Sequence, residues 1–171
     1  MGLRIYVTLI SVFSLLTSCT DITNIDKTFA GVYNWSCNSN QRETATLADW
    51  DQAITVTETI KDELYQSGVL SLKVGVPYII QITNLDREMR SFRAPDLFRS
   101  SSVLRVVHDG NEIAAPCLQA VVIPPQKTSE IQLVPLKKGY YNYRETYNTV
   151  PVLNLLPIIV PVSSIGFAHV Y

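Results

Sequence analysis

The stretch Val69-Leu70-Ser71-Leu72-Lys73-Val74-Gly75-Val76-Pro77-Tyr78-Ile79-Ile80-Gln81-Ile82-Thr83-Asn84 decides the fold class. Leu70, Leu72 and Val74 recur at every second position, and so do Tyr78, Ile80 and Ile82 beyond Gly75-Val76-Pro77. A period of two sends those side chains to one face of an extended chain, whereas a helix needs apolar residues every third or fourth position. Gly and Pro between the two runs mark a turn. The same rhythm continues outward. Upstream, Ile54 and Val56 alternate with Ala53, Thr55 and Thr57 up to a turn-like region over 61–67. Downstream, Val103-Leu104-Arg105-Val106-Val107 runs into the turn His108-Asp109-Gly110-Asn111. Val121-Val122-Ile123 stops at Pro124-Pro125, and Ile131-Gln132-Leu133-Val134 alternates. Lys137-Lys138-Gly139 is a turn, followed by the strand Tyr141-Asn142-Tyr143-Arg144, with Tyr141 and Tyr143 on one face and Tyr140 on the other. One short helix is expected over 95–104, with Asp96 in its first turn. The apolar tail over 155–162 and 165–171 is broken by Pro157 and Pro161, which predicts edge strands or loops. Short strands with turn signals about every ten residues predict an all-β sandwich or barrel over 52–171.

Composition narrows the function. Hydrophobic residues make up 47% of the 171 and charged residues 17%, so the chain can bury a core and is not a disordered polymer. A formal net charge of -1 gives no overall electrostatic reason to bind nucleic acid. Glycine is scarce, and neither G-x-G-x-x-G nor G-x-x-x-x-G-K-[ST] occurs. The 2 His and 3 Cys exclude a site with many imidazole ligands. No G-x-S-x-G is present, and Asp96, Asp109, Glu112 and Glu145 fall in no pairing that acid–base chemistry would use. An enzyme is not expected.

The first segment reads as an address. Arg4 gives a short basic start, an apolar run follows over 5–16, and Leu16-Thr17-Ser18-Cys19 closes it. The run falls short of the roughly 20 apolar residues of a membrane-spanning helix and has the length of a secretory signal core. Its ending resembles the lipobox of bacterial lipoproteins, an apolar residue and two small ones before a Cys. The resemblance implies that 1–18 is a lipoprotein signal peptide and that the Cys19 thiol is diacylated. The stretch 19–51 is then a lipid-anchored tether, partly docked on the domain over 52–171. The protein would face the periplasm of a bacterial cell envelope, and Thr20 after the Cys leans by the same resemblance toward the outer membrane. In that oxidising compartment Cys37 and Cys117 are an even pair and read as a disulfide, with a free buried thiol at Cys117 as the alternative.

Three spaced blocks carry more. The first is Leu72-Lys73-Val74-Gly75-Val76-Pro77-Tyr78, leading to Ile82-Thr83-Asn84-Leu85-Asp86. The second is Ser91-Phe92-Arg93-Ala94-Pro95-Asp96-Leu97-Phe98. The third is Ile123-Pro124-Pro125, Val134-Pro135 and Gly139-Tyr140-Tyr141-Asn142-Tyr143. Together, over about 52–147, they resemble the cupredoxin family, the blue-copper proteins. The resemblance implies a Greek-key β-sandwich and a copper held by two His, a Cys thiolate and a long axial Met. Carried over by position, the first His falls on Arg90 and the Cys on Glu145. The second His and the Met belong in 147–156, which contains neither. The expectation is therefore a degenerate copper site with no cofactor, in which Arg90 and Glu145 approach as an ion pair. The role that follows is a structural or partner-binding module, anchored to the membrane by its lipid and working with an envelope protein. A competing reading keeps copper and electron transfer with rearranged ligands from Met89, His108, Cys117 and His169. A third uses the arginine-rich stretch Arg87, Arg90, Arg93, Arg99 and Arg105 to bind a small anionic ligand.

Overall fold

A computed structural model describes residues 40–115, 117–145 and 164–171. Among them, eleven strands and two α-helices follow in order, with a single 3-10 turn at Trp50–Gln52: α1 Asn40–Leu47, β1 Ile54–Lys61, β2 Leu64–Tyr65, β3 Val69–Leu72, β4 Tyr78–Asn84, β5 Arg90–Arg93, α2 Pro95–Arg99, β6 Ser101–His108, β7 Asn111–Ala114, β8 Ala120–Ile123, β9 Thr128–Pro135, β10 Gly139–Arg144 and β11 Ile165–Val170. One sheet has the order β2-β1-β4-β9-β6-β7, the other β3-β11-β10-β5-β8. The all-β two-sheet sandwich expected from the alternation is the observed architecture. β4 shows why: Tyr78, Ile80, Ile82 and Asn84 are buried while the residues between them are half-buried. Leu70 and Leu72 of β3, Phe92 of β5, Ile131 and Leu133 of β9, and Tyr143 of β10 meet the β4 set in a single core.

Several expectations change. The helix at Pro95 stops at Arg99, and Leu104 lies in β6. The residues after Ser101 pair with β9 instead, and the ladder skips Leu104 between Val103 and Arg105, a β-bulge. The stretch 155–162, with Pro157 and Pro161, lies outside the described residues, and 165–170 is not an edge strand. β11 contains neither proline and sits between β3 and β10, parallel to the first and antiparallel to the second. β2, β5 and β7 are not announced: β2 lies in the region read as turn-like, and neither β5 nor β7 alternates in burial. The turn expected at His108–Asn111 is present as a two-residue hairpin, with φ of 47 at Asp109 and 78 at Gly110.

The stretch read as a tether carries α1. Ala45 is fully buried and its N–H donates to Ser102 Oγ at 2.9 Å, which ties α1 to β6. Cys19, Cys37 and the signal segment lie outside the described residues. Tyr141 Oη donates to the Lys137 carbonyl at 3.0 Å and so pins the turn before β10. Tyr143 is buried and Tyr140 exposed, as the alternation predicted.

Candidate functional site

The loop between β4 and β5 brings the site together. Asn84 ends the inward row of β4 and is fully buried. Its amide donates to the carbonyls of Glu88, Ile123 and Pro124 at 2.8–3.1 Å, and its Oδ1 accepts the Asp86 N–H at 2.9 Å. Four hydrogen bonds from one side chain satisfy the backbone of a loop that could not otherwise be buried. The loop fixes Asp86 beneath the β1–β2 turn. That turn holds two non-glycine residues at positive φ, Asp62 at 52 and Glu63 at 66. Left-handed backbone is costly for such residues. The Asp86 carboxylate offsets the cost by accepting both N–H groups, Asp62 at 2.7 Å and Glu63 at 3.0 Å.

Arg90 opens β5 and is only 4% exposed. Its Nε donates to Asp86 Oδ2 at 2.8 Å, and its Nη2 lies 3.3 Å from Glu63 and 3.5 Å from Glu88. Burial disfavours the charge on Arg90, but the Asp86 hydrogen bond and the charges of Asp86, Glu63 and Glu145 outweigh it and hold the guanidinium above its ordinary value. Asp86 shows the converse. Burial would raise its carboxyl, but the two turn N–H groups and Arg90 hold it below the usual range.

Glu145 follows β10 and is 3% exposed. Its carboxylate accepts the Ser91 N–H at 2.7 Å and the Ser91 hydroxyl at 3.0 Å. Both carried-over positions thus lie at the start of β5: Arg90 opens it, and Glu145, which follows β10, is held by the next residue, Ser91. The expected pairing changes in one respect. Arg90 makes its direct ion pairs with Asp86, Glu63 and Glu88, while Glu145 reaches it through the field and is itself held by Ser91.

A second polar group lies behind this one, inside the core. Tyr65 Oη donates to the Ser91 carbonyl at 2.7 Å. Tyr143 Oη donates to Glu58 Oε2 at 2.5 Å, and Glu58 Oε1 accepts the N–H groups of Thr59 and Ser67. The Tyr143 ring stands 4.8 Å from those of Tyr65 and Phe92. Burial, first, and the bond to Glu58 push the Tyr143 hydroxyl up. Burial also raises Tyr65, with Glu145, Tyr143 and Glu58 adding to it. Both phenols therefore stay protonated donors at any ordinary pH.

Sequence reading missed Glu58, Asn84 as a clamp, and Asp86 as the partner of Arg90. Glu58 carried a signal: it falls in phase with Val56 and Ile60, where the alternation demands an inward apolar residue. Asp86 precedes Arg90 by four, but only the loop shape makes that spacing a contact.

The alternative copper ligands are dispersed. His108 ends β6 in the first sheet, with Nδ1 2.9 Å from Ser129 Oγ. His169 lies in β11 of the second sheet, stacked 4.4 Å from Tyr140. Cys117 is disulfide-bonded and so is not a thiolate ligand. Met89 adjoins Arg90 in the β4–β5 loop. Among the described residues no group of three His, Cys, Asp or Glu side chains is placed to hold a metal ion, and no helix is long and apolar enough to cross a membrane. The five arginines do not all gather: Arg87 and Arg90 line one cavity, in which Asp62, Glu63, Asp86 and Glu88 also stand, and two others are held elsewhere. Arg105 of the first sheet is held by Gln132 and Glu112, and Arg99 pairs with Asp96.

Asp86 carries a pH dependence. A carboxyl held below its unfolded value of 3.8 adds stability above that pH, and the contribution is lost as pH falls through the lower folded value. Asp86→Asn is therefore expected to destabilise the domain at neutral pH and to flatten the acid limb of the stability curve below about pH 4. Urea midpoints from pH 7 to pH 2 check this, and parallel curves for the two proteins would refute it.

No family model and no curated protein matches this chain. Solved structures do. An oxidised proline-to-glycine mutant of amicyanin is similar at a TM-score of 0.41 and 15% identity, over 71% of this chain and 85% of that one. A reduced tryptophan-to-tyrosine mutant of amicyanin gives 0.41 and 16%, over 74% and 89%. A multicopper oxidase gives 0.48 and 8%, over 69% of this chain and 44% of that one. These are among the solved structures that this two-sheet sandwich is similar to.

Proposed function

We propose that this chain is a lipid-anchored protein of the bacterial envelope whose cupredoxin-like sandwich works as a structural, partner-binding module and not as an enzyme or a copper carrier. The observation that carries the reading is Arg90, buried and held by three carboxylates, at the position to which the sequence resemblance carries the first copper ligand. A guanidinium has no lone pair to give a metal and stays protonated. Its positive charge also repels a cation from the same volume. At the thiolate position, the oxygens of Glu145 accept from Ser91. The residues present do not fit a blue-copper ion. Such a buried charged network is weak evidence for added stability, since desolvation can offset its attraction. It does support a fixed loop end on the sandwich, offered to a partner protein.

The cysteines fit the same reading. With Cys19 committed to lipid, the disulfide of Cys117 closes with Cys37 and fastens the tether to the domain. The test is a copper titration of the purified full-length protein against a chelator of known affinity, followed by a non-reducing peptide map. The expected result is no one-to-one site of sub-micromolar affinity, and a peptide linking Cys37 to Cys117. Tight stoichiometric copper would overturn the module reading and direct mutagenesis to Met89, His108 and His169. A Cys19–Cys117 peptide would overturn the anchor.

A further inference from the structure

The outer face of the second sheet carries large apolar and aromatic side chains beside Ser71, Asn142 and His169, and no acid among the outward positions of β3, β10 and β11. Alternation turns Val69 of β3, Ile165 and Phe167 of β11, and Tyr140 of β10 outward, and each is at least 45% exposed. They are neighbours by register: Phe167 pairs with Val69, and Tyr140 pairs with His169, on which it stacks. Tyr171 lies beside His169 and is half exposed. Five large side chains left about half open expose on the order of 500 Å² in one patch, at the upper end for a surface with no partner.

One end of the patch is cationic. Arg144 is directly opposite Ile165 on one side and Arg93 on the other. Like charges facing across strands destabilise a sheet unless something neutralises them. Among the described residues neither arginine has a carboxylate partner, and the Arg93 Nε is buried with no hydrogen-bond acceptor. The outward positions of β3, β10 and β11 carry no Asp or Glu, and neither does the sequence over 146–163. Two arginines in register with no carboxylate paired to either leave positive charge on this face, and guanidinium forks match phosphate oxygens in geometry and charge.

We propose that this face docks on an anionic phospholipid surface, with Arg93 and Arg144 on the headgroup phosphate and Tyr140, Ile165 and Phe167 in the interfacial layer. Aromatic and aliphatic groups set beside arginine, with no acid among them, are the chemistry that a charged membrane interface recognises. The inference rests on the anchoring reading only for proximity: a lipid on Cys19 would hold the domain at high local concentration near the bilayer. A second copy fits less well, because it would bring four unneutralised arginines to one interface.

The test places an environment-sensitive fluorophore at Tyr140→Cys in the full-length protein, with the same label at Leu47→Cys on α1 as the control. Vesicles are phosphatidylcholine alone or phosphatidylcholine with phosphatidylglycerol. The expected result is a blue shift and shielding from an aqueous quencher at position 140 in the anionic vesicles and none at position 47. Arg93→Gln and Arg144→Gln should each weaken the effect about fivefold, and inorganic phosphate alone should not produce it. A probe that stays in water on anionic vesicles would overturn the docking. So would a shift that needs no vesicles but grows with protein concentration, which assigns the face to a second copy. Sedimentation with phosphatidylcholine alone reads the anchor separately, so loss of one result leaves the other standing.

Discussion

Gly166→Ala is expected to destabilise the domain by about 3 kcal/mol or more, although the position lies in a strand where alanine is usually the better residue. Gly166 has no left-handed backbone to protect. On conformational entropy alone, the substitution would gain about 0.4–1 kcal/mol. Space reverses the sign. A Cβ at 166 would stand 2.1 Å from Tyr143 Cζ and 2.2 Å from Cε2. The ring cannot swing away cheaply, because Tyr65 and Phe92 each hold it at 4.8 Å and its hydroxyl is fixed on Glu58. Moving it would break that bond and leave a buried carboxylate without its strongest donor. Urea unfolding of the two proteins measures the loss. Tyr143→Leu should cost less in the Gly166→Ala background than in the native chain, because the shorter side chain relieves the clash. A Gly166→Ala midpoint within about 0.5 kcal/mol of the native one would show that the Tyr143–Glu58 pair is not rigidly held.

How much of this was legible in the sequence depends on the range of the interaction. Strands with one buried face were readable, because burial writes a period of two into the chain: β4 was read to both its ends, and β9 and β10 by their alternating residues. The interior place of 165–170 is not legible, for a local reason. Pro157 and Pro161 precede β11 but do not lie in it, and its interior place comes from pairing with β3, almost a hundred residues earlier. The helix at Pro95 was overextended because its apolar residues, from Leu97 to Leu104, do not reveal where pairing with β9 takes over. At the site, the positions of Arg90 and Glu145 came from the order of the three blocks. Their partners did not, because Asp86 reaches Arg90 through a loop that Asn84 ties to Ile123 and Pro124. Propensity and spacing carry no record of such a clamp. Glu58 is the exception that a stricter reading would have caught: a carboxylate in phase with the core asks at once for a buried donor, and Tyr143 is that donor.

Arg90→Met is expected to cost about 3–5 kcal/mol at neutral pH, the range for removing one member of a buried ion pair. The size depends on which partner is stranded. Glu63 and Glu88 are largely exposed, so water and salt replace Arg90 for them at little cost. Asp86 is not, with 9% of its side chain accessible. It would keep the two turn N–H groups but lose the buried cation beside it, and the positive-φ turn at Asp62 and Glu63 would depend on a carboxylate whose ionisation is less favoured. The pH dependence follows with a definite sign. Without the guanidinium the folded-state value of Asp86 rises, so the native advantage over Arg90→Met should be full at neutral pH and shrink as pH falls through the ordinary carboxylate range near 3.8. A double-mutant cycle with Asp86→Asn separates the pair from the packing of the arginine stem. Strong coupling, with the double mutant more stable than the two single losses predict, fits a charge pair built into the β4–β5 loop. A loss below about 1 kcal/mol, with no coupling and no pH dependence, would make Arg90 an ordinary solvated cation and remove the ground for reading its position as a metal site given over to an internal charge network.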